Sequence, residues 1–325
     1  MKKKAVVFLF LFLLTAFSAF SQEGDSKDGP NFFLIPVLET VFSGDVRWRP
    51  DWSEGIPFDG FYAGKKLPEL IELSNGDDSF AVRRDREGRL LEFPFFSEDG
   101  YSKVKAAYAA SGALREMKIS SSKNDEEKEW NIIFPADFLP YSELSPGGSF
   151  PPLTVSSEDG DFYLFIFETP SFLTETWYDS EGNMAAFCKA SVIYIEKKWR
   201  VRTLQIYNGE EVTFEDYFFD SFGNISEADI SDKTFSALYR DNRPIFWQCP
   251  DFRYEMQWDT QGLLTIVKVF DETDELSVEY RYIYEMDGAG SWVKRQETAL
   301  SGTSLLVPQP TLSRGVWNRR IAYGD

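Results

Sequence analysis

Apolar and polar positions alternate with period two along much of the second half of the chain. The runs "FYLFIFE" (162–168), "ASVIYIEKKWRVRTLQIY" (190–207), "EVTFEDYFF" (211–219), "LLTIVKVF" (263–270) and "LSVEYRYIYEM" (276–286) are β-branched, aromatic and of strand length. A side chain on a strand changes face at each residue, so this alternation predicts antiparallel strands with one face buried. Asn208-Gly209 in "IYNGEEV" marks a tight hairpin. In the first half the turn residues Gly88, Gly100 and Gly112 recur at intervals of 12. That rhythm favours hairpins over a helix for the Ala-rich stretch 106–113.

The text from Asn31 to about Phe80 is irregular, with Pro and Gly interrupting its aromatics. "KLPELIEL" (66–73) is its best short-helix candidate. "PADFLPYSELSPGGSFPPL" (135–153) holds five prolines and reads as a linker or long loop between two domains. The expected organisation is therefore a leader over 1–21, an irregular N-terminal β region over 22–134, that linker, and a repeat domain over 154–325. The leader is a signal peptide by pattern: Lys2, Lys3 and Lys4 precede the apolar run 5–17, and Ala19 and Ser21 precede a cleavage position before Gln22. No later run is apolar for long enough to cross a membrane as a helix. The expected location is the periplasm or outer surface of a double-membraned bacterium.

Composition narrows the chemistry. Acidic residues number 53 against 34 basic ones, a formal net charge of −19, and removal of the leader makes it three units more negative. Nucleic acid is repelled by such a chain. Histidine is absent, which excludes Ser-His-Asp and Cys-His nucleophiles, imidazole bases and His-ligated metals. Two cysteines, Cys188 and Cys249, could pair in an oxidising compartment, closing a loop of about 60 residues worth roughly 4 kcal/mol; two separate buried thiols are the alternative.

One phrase recurs. "RRDREGRL" (83–90), "WYDSEGNM" (177–184), "FFDSFGNI" (218–225), "QWDTQGLL" (257–264) and "EMDGAGSW" (285–292) share Asp-x-x-Gly before an onward strand. A type I turn favours Asp first, where its carboxylate bonds the backbone, and Gly fourth, where φ is positive. Asp85 with Gly88, Asp179 with Gly182, Asp220 with Gly223, Asp259 with Gly262, and Asp287 with Gly290 are therefore read as hairpin corners rather than acid–base pairs. The aromatics before them, Trp177 or Tyr178, Phe219 and Trp258, would pack across each strand pair. The steps from Gly182 to Gly223 to Gly262 are 41 and 39, twice a unit of about 20 residues, with the degenerate copy "YRDNRPIF" (239–246) between the last two.

These phrases resemble the tyrosine–aspartate (YD) repeats of the Rhs type and of similar exported bacterial proteins. The nearest copy, "YIYEMDGAGSWVKRQ" (282–296), matches a Tyr-x-Tyr-Asp-x-x-Gly-Asn-Trp-x-Lys-Arg pattern with Met286 and Ser291 as departures. The resemblance spans roughly 174–296 and implies long curling sheets of hairpins. The copies are too few to encase a cargo.

The acidic runs "SSEDGD" (156–161) and "DETDE" (271–275) do not match a calcium loop and read as solvated turns. Trp48, Trp52, Trp247 and Trp317 could stack on sugars but suit a core better. Neither a catalytic, a cofactor nor a metal site is assigned. The fold expected is mostly β, antiparallel hairpin repeats in a curved extended sheet, with a less regular N-terminal β region. The function expected is a non-enzymatic exported protein presenting a sheet surface to a protein or glycan. Weighed against it are a carrier sheltering an apolar ligand such as a lipid, an outer-membrane barrel, and a carboxylate-dependent glycan hydrolase.

Overall fold

The computed structural model describes residues 32–44, 46, 68–75, 78–97, 100–123, 126–136, 138, 151–169, 171–195, 198–207, 210–220, 224–230, 233–241, 243–288, 290–301 and 316–323. The leader, the Asn208-Gly209 turn, Gly223, Trp48 and Trp52 lie outside them. The chain divides into two compact units, Met1–Asp45 with Arg89–Gly223, and Val46–Gly88 with Asn224–Asp325.

The first unit holds helix α1 (Leu34–Ser43) and the strands β3 (Leu90–Ser97), β4 (Gly100–Tyr108), β5 (Leu114–Lys123), β6 (Glu126–Ile133), β7 (Leu153–Ser157), β8 (Gly160–Glu168), β9 (Phe172–Tyr178), β10 (Met184–Ile195), β11 (Lys198–Tyr207) and β12 (Glu210–Phe219). Each strand pairs antiparallel with the next. The Pro-rich segment 135–153 joins β6 to β7, which are partners in this sheet. The compact units are divided at 45/46, 88/89 and 223/224.

The second unit holds β1 (Leu70–Asn75), β2 (Asp78–Arg84), β13 (Ile225–Ile230), β14 (Lys233–Arg240), β15 (Arg243–Gln248), β16 (Arg253–Trp258), β17 (Leu264–Phe270), β18 (Leu276–Met286), β19 (Trp292–Ser301) and β20 (Val316–Ala322). β13 to β20 again pair each with the next. β20 then takes β1 as its other partner, with Leu73 opposite Arg319, and β1 pairs β2.

The expected curved, open sheet of hairpin repeats is overturned by this pairing. The twenty strands pair antiparallel, and in the second unit β20 pairs both β19 and β1, so the N-terminal strand does not end an open row of hairpins. An open sheet leaves rows of unpaired N–H and C=O groups at its edges; joining the N-terminal strand to a C-terminal one removes them. The expected helix over 66–73 is also replaced, because β1 occupies Leu70–Asn75. Its Ile71 and Leu73 are buried and alternate with Glu72, a period of two that outweighs local helix propensity.

α1 lies in the stretch read as irregular. Every side chain from Leu34 to Val41 is buried, Pro36, Glu39 and Thr40 included. Pro36 falls in the first turn, where a missing N–H costs nothing. Gly44 ends the helix with φ +69 and donates its N–H to the Thr40 carbonyl at 3.0 Å.

The Asp-x-x-Gly corners are local hydrogen-bonded turns. Gly182 has φ +86, its N–H reaches the Asp179 carbonyl at 3.0 Å, and Asp179 Oδ1 accepts from the N–H groups of Glu181 and Asn183. Those bonds, led by the Asn183 side-chain amide, hold the Asp179 carboxyl below its usual range. Gly88, Gly262 and Gly290 bond Asp85, Asp259 and Asp287 in the same way, each glycine with positive φ, and the register slips by one residue beside the corners at 184/186, 257/258 and 285/286. Nothing lies within 4 Å of where a Cβ on Gly182 would stand, so backbone strain alone resists a side chain there. Gly182→Val should lower the free energy of unfolding by about 1–2 kcal/mol in urea titration.

Candidate functional site

The outward face of the first unit is divided. On β3 to β6 it is charged: Lys103 pairs with Glu92 at 2.9 Å and Lys118 with Glu129 at 3.2 Å, while Glu92, Lys105 and Lys118 stand opposite one another in register. On β8 to β10 it is aromatic. β8 buries Phe162, Leu164 and Ile166 and turns Tyr163, Phe165 and Phe167 outward, 44%, 43% and 37% exposed. Register sets Tyr163 beside Tyr178, Phe165 beside Thr176, and Phe167 beside Thr174. Phe165 meets Tyr178 edge to face at 5.6 Å, and Lys189 Nζ lies 5.2 Å from the Phe172 ring centre. The result is a row of rings alternating with threonine hydroxyls.

The buried face of the same strands holds an unusual polar group. β9 directs Leu173, Glu175 and Trp177 inward. Glu175 is fully buried and accepts from the backbone N–H of Leu34, from that of Ile35 at 2.9 Å, and from Trp177 Nε1 at 2.7 Å. Phe33 occupies the N-cap of α1 and offers no side-chain cap. A carboxylate from β9 thus serves the role of an Asp or Ser cap and meets the positive end of the helix. Burial raises the Glu175 pKa to about 7, against the lowering effect of its three hydrogen bonds. Beside this clamp Phe32 packs edge to face on Trp130 and Trp177, at 5.6 and 5.8 Å.

Glu215, on β12, is another carboxyl with no exposed surface. Its Oε2 accepts from the Tyr217 hydroxyl at 2.6 Å and from Thr203 at 3.3 Å, and burial raises its pKa to about 7. Cys188, directly opposite Glu175 in the β9–β10 ladder, is pushed well above the ordinary thiol range by burial and then by the charges of Glu175 and Glu215. The expected Cys188–Cys249 disulfide is not formed. Both are free buried thiols, on separate units, and Cys249 donates its S–H to the Phe252 carbonyl at 3.3 Å.

The corner residues do not converge on a site: each Asp–Gly pair serves its own turn. Asp220 precedes a turn whose Gly223 is outside the described residues. "DETDE" forms another such corner, with Asp271 Oδ1 accepting from Thr273 and Glu275 and Asp274 taking the positive φ. Among the described residues no group of acidic or Cys side chains could hold a metal ion. Trp247 and Trp317 are buried, so neither offers a sugar a free ring. The outward rings of β8 and the inward Glu175 and Glu215 were missed from sequence. Parity along "FYLFIFE", "FLTETWY" and "EVTFEDYFF" was the available signal, since it puts aromatics on the outward face and a Glu on the apolar one.

No known family model matches the sequence, and no curated protein does. Solved structures offer distant likenesses. A porin-like protein from Bacteroides uniformis is 13% identical, with a TM-score of 0.32 over 79% of this chain and 98% of that one. A second porin-like protein, from Bacteroides vulgatus, is 10% identical, with a TM-score of 0.25 over 80% and 99%. A TcdB2–TccC3–Cdc42 structure is 10% identical, with a TM-score of 0.25 over 70% of this chain and 15% of that one. Likeness this remote decides nothing about activity.

Proposed function

We propose that this protein is an exported, non-enzymatic protein of the bacterial envelope that works in water and binds a glycan through the outward face of β8 to β10. The exposed row Tyr163, Phe165 and Phe167 carries the reading. Flat rings stack on the apolar faces of sugars, and the interleaved Thr174 and Thr176 hydroxyls supply hydrogen bonds to their edges. Absence of histidine and the structural employment of the corner aspartates support a binding role over hydrolysis. Affinity electrophoresis through gels containing soluble cell-wall or capsular polysaccharide tests it. Phe165→Ala should abolish the retardation by at least one polysaccharide while the protein still unfolds cooperatively, losing only the roughly 1 kcal/mol of the edge-to-face contact with Tyr178. Equal mobility of the two proteins in every polysaccharide tested would refute the reading.

A second reading, an outer-membrane barrel, draws on the closed strand order and on the same aromatic row. Charge weighs against it. Lys105 and Lys118 are central on outward faces of β4 and β5, and a lysine facing lipid at mid-bilayer costs about 2–4 kcal/mol. The absence of a long apolar helix among the described residues bears only on helical spans. Detergent-free solubility of the processed protein, with gel migration independent of heating, is the expected outcome. Extraction only by detergent would favour the barrel in lipid.

A further inference from the structure

We propose that α1 is the resting occupant of an apolar binding site on the buried face of the first unit, and that an amphiphile whose head group donates hydrogen bonds displaces it and binds between Glu175 and Glu215. The inference is independent of the glycan-binding face.

Three observations converge on it. First, α1 is not a surface helix with a solvated side: every residue from Leu34 to Val41 is buried, so the space it fills is enclosed by other parts of the chain. Apolar groups meet it: Phe42 of the helix stacks on Phe138, with ring centres 6.1 Å apart, and Phe32 just before it packs on Trp130 and Trp177, so an alkyl chain is compatible with the same walls. Second, the polar hold on the start of this helix comes from the sheet. The N-cap Phe33 supplies no side-chain bond, and Glu175 accepts from two backbone N–H groups at the helix start. A carboxylate that receives two N–H donors in this way can receive an ammonium or hydroxyl group instead.

Third, Glu215 holds an unanswered demand. The residue is fully buried, its Oε2 is bonded to Tyr217 and Thr203, and its Oε1 is buried without a hydrogen-bond partner. Buried polar atoms are almost always satisfied, and an exception marks a place where a donor fits. Register places the two carboxyls on one stretch of the buried face: Glu175 stands opposite Cys188, Cys188 opposite Gln205, and Glu215 opposite Thr203, which stands opposite Ala190, with Ala190 and Val201 adding apolar surface beside the polar Thr203 and Gln205. A donor-headed amphiphile, an amine or an alcohol, satisfies this arrangement. A carboxylate-headed one meets two acceptors and a chain of net charge −19.

Dodecylamine and dodecanoate, each below its micellar concentration, distinguish the cases. Binding is read by isothermal titration calorimetry, and the position of α1 by digestion with a glutamate-specific protease. Glu39 is buried in α1, so the bond after it is cut only when the helix leaves. Dodecylamine should bind saturably and raise the rate of cleavage after Glu39 at least tenfold, with dodecanoate at least tenfold weaker. Glu215→Leu should weaken dodecylamine at least tenfold. Should that variant not fold, Glu215→Gln, which places its own N–H₂ donors at the site, should do the same. The proposal is overturned if Glu39 stays protected in saturating dodecylamine, if both amphiphiles bind alike, or if the folded Glu215 variant binds as tightly as the wild-type protein.

Discussion

Glu175→Ala should lower the free energy of unfolding by about 3 kcal/mol, more than any other single surface or turn substitution considered above. Three donors lose their acceptor at once: the N–H groups of Leu34 and Ile35, and Trp177 Nε1. Each is buried, and a buried donor left unsatisfied costs about 1–3 kcal/mol. Removal of a carboxyl that resists ionisation offsets part of that sum. The loss begins at α1, since its first turn has no other cap, and spreads to Phe32 and the Trp130–Trp177 contact beneath it. Urea unfolding followed by tryptophan fluorescence measures the total; an unchanged midpoint would mean that the clamp contributes nothing to stability.

The second large effect is a stability that falls as pH rises through neutrality. The carboxyls of Glu175 and Glu215 both have their pKa raised from 4.5 to about 7, chiefly by burial, and that of Glu168 moves the same way for the same reason. A group whose folded pKa exceeds its unfolded value contributes stability that is fully present below the unfolded pKa, about pH 4.5, and lost as pH climbs past the folded one. One pKa unit corresponds to about 1.4 kcal/mol, so the two fully buried groups together account for several kcal/mol between about pH 4.5 and 8. The opposite sign applies to Asp216. Burial works to raise its pKa, but hydrogen bonds and charge from Arg202 and Arg200 outweigh that and lower it, so its share disappears only in stronger acid. Unfolding free energies measured at pH 5, 6.5 and 8 should decline in that order, and Glu175→Gln combined with Glu215→Gln should flatten the decline. A profile that rises toward pH 8 in the wild-type protein would contradict this account.

The parts of the fold that could be read from sequence are those whose cause is local. Asp179 and Gly182 specify their corner with bonds made inside five residues, and strand parity in "LTIVKVF" already separates buried Val267 and Val269 from the half-buried positions beside them. α1 was not legible, because a helix buried on all sides shows no 3.6-residue apolar stripe; "LIPVLETVFS" is apolar nearly throughout, and Pro36 reads as a breaker unless the first turn is known to begin at Leu34. Only Gly44, in the left-handed conformation after Ser43, signalled its end. The site was less visible still. Glu175 acts on residues 140 and 141 positions away, and no short-range pattern encodes such a distance. A glutamate at an inward parity position was the only trace of it.

The pairing of β1 with β20 sets an order of events for the chain as it is made. Glu72 and Arg320, 3.2 Å apart across that pair, are separated by 248 residues, so β1, already paired with β2 on one edge, gains its partner on the other only after residue 320 has been made. Contacts of such long range are slow to form. Until then β1 is an unpaired strand edge, open to the strands of a neighbouring chain. A late zippering step, after nearly all of these strands have been made, is the folding order this topology requires.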